Sequence, residues 1–157
     1  NTQIIFPDLS GLEDIIVNKA ELEFTVADVA GDNTDLYPLT EQLVASQLNN
    51  EEREILSDVR SALFANRPIR AGIFGGVPVV ETENGVTVTK YRINISSYFQ
   101  QIVEGTSDNG FNLSSGVEQT SFYFQLPPKP SDPSRVIFYG PNHPVHPLKL
   151  NLTYTKL

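Results

Sequence analysis

The 157-residue chain has no cysteine, no methionine and no tryptophan. Without cysteine there are no disulfides, no zinc–thiolate sites and no thiol nucleophile. Cationic residues are also few. Eleven Lys and Arg face nineteen Asp and Glu, a formal charge of −8. A surface that acidic repels phosphate, which argues against nucleic acid as a partner and against docking on anionic lipid. No apolar run approaches the roughly 20 residues of a membrane-spanning helix. What is present is a globular composition, 39% hydrophobic and 10% aromatic. A chain of this length is expected to make one domain, residues 1–157, with a core that needs no staple. It opens on Asn1 with no basic-apolar signal segment, so we read it as a piece whose targeting region lies upstream. Sequons at Asn94, Asn112 and Asn151 matter only in a host that glycosylates them.

Period-2 alternation dominates. Over residues 18–26, Ala20, Leu22, Phe24 and Val26 share one face, and Lys19, Glu21, Glu23 and Thr25 share the other. That pattern predicts a half-buried strand with a wet outer face. The C-terminus repeats it, with Leu148, Leu150, Leu152 and Tyr154 on one side, so the last residues should be anchored. Residues 77–82 and 86–95 flank Glu83-Asn84-Gly85, a hairpin signal. Parity changes between Val88 and Tyr91, which predicts a bulge near Thr89–Lys90. Further strands are expected at 111–113, 121–126 and 135–139, and residues 36–48 read as strand or loop. The Gly-rich stretch 72–76 reads as a bend or a close backbone contact.

Two segments switch to helical period. Tyr98, Phe99, Ile102 and Val103 share a side, with Ser97 and Gln100 as a capping box and Gly105 as a stop. Ile55, Val59, Ala62 and Leu63 make a stripe within a helix expected over 50–65, with Glu51, Glu52 and Glu54 in its first turn. About eight strands with turn signals between them predict an all-β fold. The architecture is an antiparallel β-sandwich of jelly-roll or Greek-key type, with one or two short helices.

Four stretches in order carry a resemblance. They are Phe6-Pro7-Asp8-Leu9 with Val17-Asn18-Lys19-Ala20-Glu21-Leu22, then residues 91–102 with Gly105, then residues 135–144, then residues 149–155. With these the chain resembles the C-terminal domain of a Bacteroidota outer-membrane lipoprotein family of unknown function. The resemblance implies a jelly-roll-like sandwich displayed on the cell surface. Attachment to the membrane would be peripheral, through a lipidated cysteine upstream of the present chain. It implies no catalytic residues.

Asp28, Asp32, Asn33 and Asp35 form an acidic loop whose oxygens suit calcium, although the spacing is not that of an EF-hand and a solvated turn explains it better. His143 and His146 are the only histidines. They could share a metal, but Pro144 and Pro147 hold the segment extended, and a structural turn whose side chains bond nearby backbone accounts for them. Tyr37, Tyr123 and Tyr139, with His143, are candidate ligand contacts at the loops. No Gly-x-Ser-x-Gly elbow and no phosphate loop occurs. The reading is a non-enzymatic interaction or structural module with protein partners at the outer membrane and no cofactor beyond a candidate calcium. The alternative is a carbohydrate-binding module using loop aromatics.

Overall fold

In the computed structural model, which describes residues 2–49, 52–64, 73–116 and 133–157, the elements follow in the order β1 (Thr2–Ile4), β2 (Ile15–Thr25), β3 (Gln42–Asn49), β4 (Glu52–Ile55), α1 (Ser57–Phe64), β5 (Gly75–Glu83), β6 (Val86–Asn94), α2 (Ser96–Val103), β7 (Phe111–Gly116) and β8 (Lys149–Lys156). They form two antiparallel four-stranded sheets, ordered β1-β7-β3-β4 and β5-β6-β2-β8. Both sheets contribute to a single core. Ala20, Leu22, Phe24, Tyr91 and Ile93 come from one sheet, and Leu43, Ala45, Phe111 and Leu113 from the other. The fold is the all-β sandwich that the alternation predicts.

The two outer strands of the alternation behave differently. β2 lies between β6 and β8, and its even positions Ala20, Leu22 and Phe24 are buried. β8 pairs with β2, and its Leu150 and Leu152 are half-buried. The chain end is anchored as expected, with Leu157 N–H donating to Asp14 O at 2.9 Å.

The hairpin forms where Asn84-Gly85 places it, both residues at positive φ (50° and 81°). The expected bulge does not lie at Thr89–Lys90, where pairing to Val80 and Val79 is regular. It lies on the opposite arm, between Gly75 and Pro78. Parity in β6 never slips: Val86 and Val88 sit on the outer face with Lys90 and Arg92. Gly75 and Gly76 are the close contact foreseen for 72–76. Both have positive φ, and a Cβ at either would meet a backbone oxygen, Arg92 O at 2.1 Å or Leu43 O at 2.5 Å. Only glycine lets β5 pass that close to both neighbours.

The helix expected over 50–65 is split. Its first half contains β4, paired with β3, and among the described residues only Ser57–Phe64 is helical. Sheet pairing overrides helix propensity there, because β3 offers a free edge directly before the segment. Residues 36–48 resolve in the same way: the second part is β3. The strand expected at 135–139 is reduced to one bridge, Val26 with Phe138. The segment runs beside the exit of β2, with Tyr139 N–H donating to Thr25 O and Ala27 N–H to Ile137 O. The strand expected at 121–126 lies outside the described residues.

The capping box is also corrected. Ser97 is inside α2, and the residue before the helix, Ile95, offers no side-chain cap. Asp58 of α1 caps α2 instead, with Oδ1 accepting from Ser97 N–H (2.8 Å) and Oδ2 from Tyr98 N–H (2.9 Å). Gln100 faces β2. Its Oε1 accepts from Val17 N–H at 2.7 Å and its Nε2 donates to Ile15 O at 3.3 Å. These bonds satisfy β2 beside its own irregularity at Val17/Lys19.

Tyr91 ties the layers together. It is buried, and its hydroxyl donates to Thr40 O at 2.6 Å. Burial pushes its phenol up to about 12. A phenol raised in the folded state keeps a proton that the unfolded chain releases near pH 10, so stability falls as pH climbs between those values. Tyr91→Phe is expected to cost about 1 kcal/mol at neutral pH through the orphaned carbonyl. It should also flatten the alkaline decline in a urea-denaturation series.

Candidate functional site

Loops collect at the end of the sandwich where β2 exits. Residues 26–40 and 133–147 meet there: Arg135 N–H donates to Pro38 O at 3.0 Å, and Asp28 N–H to Tyr139 Oη at 3.3 Å. Pro144 and Pro147 do not hold the second loop extended: residues 144–146 form a bend, and Leu148 N–H returns to Gly140 O at 3.4 Å.

The acidic residues each have their own protein partner or face solvent. Asp32 pairs with the Arg135 guanidinium. Asn33 Oδ1 accepts from Asp35 N–H (3.1 Å) and Leu36 N–H (3.2 Å), closing a local turn. The Asp28 and Asp35 side chains are exposed. Among the described residues, no three His, Asp or Glu side chains are grouped so as to hold a metal ion.

The structure brings Tyr139 and His143 together. Their rings stack with centroids 4.0 Å apart and planes 23° apart, and His146 lies nearly parallel at 5.7 Å from Tyr139. His143 Nδ1 accepts from His146 N–H at 2.9 Å, which leaves its ring proton on Nε2. This is the structural turn, its imidazole bonded to nearby backbone. Tyr37 lies apart from the stack, with the Arg135 guanidinium 4.5 Å above its ring. Tyr123 lies outside the described residues. Around these rings stand exposed apolar side chains, Leu36 at 63% and Val145 at 65%, with Val29 and Ile137 less so.

A second assembly was not foreseen. The outer face of the β5-β6-β2-β8 sheet is not simply wet: Glu23 and Thr25 are buried there, and Lys90 is only 3% exposed. Arg92 grips Glu81 with both terminal nitrogens, and its Nε donates to Glu23 Oε2 at 2.7 Å. Lys90 bridges Glu23 Oε1 (2.9 Å) and Glu83. His146 Nδ1 reaches Glu83 Oε2 at 3.5 Å and joins the ladder to the ring stack. Burial pushes the Glu23 carboxyl up, but Lys90 and Arg92 outweigh it and hold the group below the ordinary glutamate value. The Arg92 fork holds Glu81 down likewise. Half of the signal was available in the sequence: the Asn84-Gly85 register sets anionic β5 beside cationic β6, whereas the pairing of β6 with β2 joins distant segments.

No family model, no curated protein and no solved structure matches the chain. The loop end is therefore interpreted on its chemistry, which is that of contact: ring faces, one guanidinium and protruding aliphatic groups on loops fixed by stacking and ion pairing.

Proposed function

We propose that this domain is a non-enzymatic interaction and structural module of a bacterial surface lipoprotein, engaging a protein partner at the outer membrane through its loop end. The observation that carries the docking is the exposure of Leu36 and Val145 on loops tied down by the Asp32–Arg135 pair and the Tyr139–His143 stack. Exposed aliphatic groups on prefixed loops lose little entropy on binding and gain by leaving water. The surface location rests on the resemblance of the four sequence stretches. A carbohydrate module built on the loop aromatics has less support, because His143 covers one face of Tyr139 and Arg135 one face of Tyr37.

The test is a photo-crosslinking residue at position 36 or 145, introduced into the full-length protein in the cells that make it. One dominant cross-linked envelope protein at both positions is expected, absent when the probe is moved to exposed Thr87 on the hairpin. The same weak, diffuse pattern at all three positions would contradict the docking surface.

A further inference from the structure

A cavity of about 290 Å³ opens on the outer face of the β5-β6-β2-β8 sheet, displaced along β2 from the loop end. It forms where the bulge between Gly75 and Pro78 breaks the regular pairing of β5 with β6. Val77 and Val79 give it an apolar wall, and Lys19, Glu21, Arg92 and Asn94 give it polar groups. Its volume is close to the roughly 300 Å³ lower bound of small-ligand pockets.

The charges in this lining are already matched. Lys19 Nζ lies 2.9 Å from Glu21 Oε2, and Arg92 is held between Glu81 and Glu23. An ionic ligand would have to break one of these pairs to find a counter-charge. A neutral polar ligand would not. The Lys19 ammonium and the Arg92 guanidinium have more N–H groups than these bonds use, and the Glu21 carboxylate has a second oxygen. Because the pairs hold them in place, these donors and acceptors are fixed before any ligand arrives. Fixed donors and an acceptor beside two valines match a ring with a hydroxyl edge and a C–H face.

We propose that this cavity binds one neutral sugar ring, hydroxyls toward Lys19, Glu21 and Arg92 and the C–H face on Val77 and Val79. The site is separate from the loop end and does not depend on a protein partner docking there. A free monosaccharide and the terminal residue of a glycan chain present the same chemistry.

The test is an amide-resolved NMR titration of the chain with glucose, galactose, mannose, xylose and N-acetylglucosamine, and with soluble polysaccharides ending in each. Saturable shifts at Glu21, Val79 and Asn94 with at least one of these at millimolar concentration are expected. Val77→Trp, which puts an indole where the sugar's C–H face would lie, should abolish them. Lys19→Ala alters a largely exposed side chain, so the fold should persist while affinity drops about tenfold. Equal binding of the free sugar and its polysaccharide would assign the ring alone, and binding of the polysaccharide only would assign a chain end. The absence of saturable shifts with every probe would overturn the proposal. So would shifts mapping to Tyr37 and Tyr139, or affinity unchanged in both variants.

Discussion

Lys90→Met is expected to destabilise the domain by about 3–5 kcal/mol, the usual cost of removing one partner from a buried ion pair. Lys90 is only 3% exposed and lies between Glu23 and Glu83. Its removal leaves Glu23, itself buried, with Arg92 as its remaining cation. The double variant Glu23→Leu/Lys90→Met should cost far less than the two single changes summed, because Arg92 keeps Glu81 and the carboxylate that loses Lys90, Glu83, is partly exposed and open to water. The pH dependence follows the same pair. Glu23 is held below its ordinary value in the folded protein, so its contribution is complete above the unfolded pKa and disappears as pH falls through the folded one. Wild type should therefore lose stability on acidification below the ordinary glutamate range. Lys90→Met should show a shallower acid decline in chemical denaturation at successive pH values. Equal slopes would mean that Glu23 owes its depressed value to Arg92 alone.

Asp58→Ala should cost roughly 3 kcal/mol, from two hydrogen bonds to a charged acceptor and two helix N–H groups left without partners. The helix that it caps is short, eight residues, so it cannot stand without tertiary support. α2 carries Tyr98, Phe99 and Ile102 into the core and Gln100 onto β2, so loosening its first turn loosens the start of β2 as well. Asp58→Asn keeps one carbonyl acceptor and should lose about half as much. Burial is the largest influence on this carboxyl and raises it above the ordinary aspartate value despite the two N–H bonds. A group raised in this way makes stability fall as pH climbs through its window, so Asp58→Asn should remove that decline. Urea midpoints with unchanged slope would report both variants as stability changes within one fold.

The parts legible in the sequence were those set by a single chain segment. The period of residues 18–26 identified a half-buried strand, Asn84-Gly85 fixed a hairpin, and the Gly-rich stretch 72–76 marked a bend or close backbone approach. What escaped depended on segments distant in sequence. The first half of the expected 50–65 helix became β4 because β3 had an edge to fill. The cap of α2 came from Asp58, nearly forty residues away, and not from its own Ser97. Glu23 looked like a solvated outer residue and is buried, because Lys90 and Arg92 arrive beside it from another strand. At the loop end, the candidate ligand contacts Tyr139 and His143 do meet, but as partners of each other. Arg135 and His146 carry no local sequence signal for the contacts they make. Their roles, over Tyr37 and beside Glu83, follow from a pairing of residues 133–147 with residues 25–38 that no local pattern encodes.

The central claim is that the two sheets close one shared core. Native-state hydrogen exchange tests it directly, by comparing amides in the middle of β2 and β6 with those in the middle of β3 and β7. One common opening free energy across both sheets, equal to the global value from denaturation, is the predicted result. A set of amides in β3 and β7 that exchanges through a separate, lower-energy opening while β2 and β6 stay protected would contradict it.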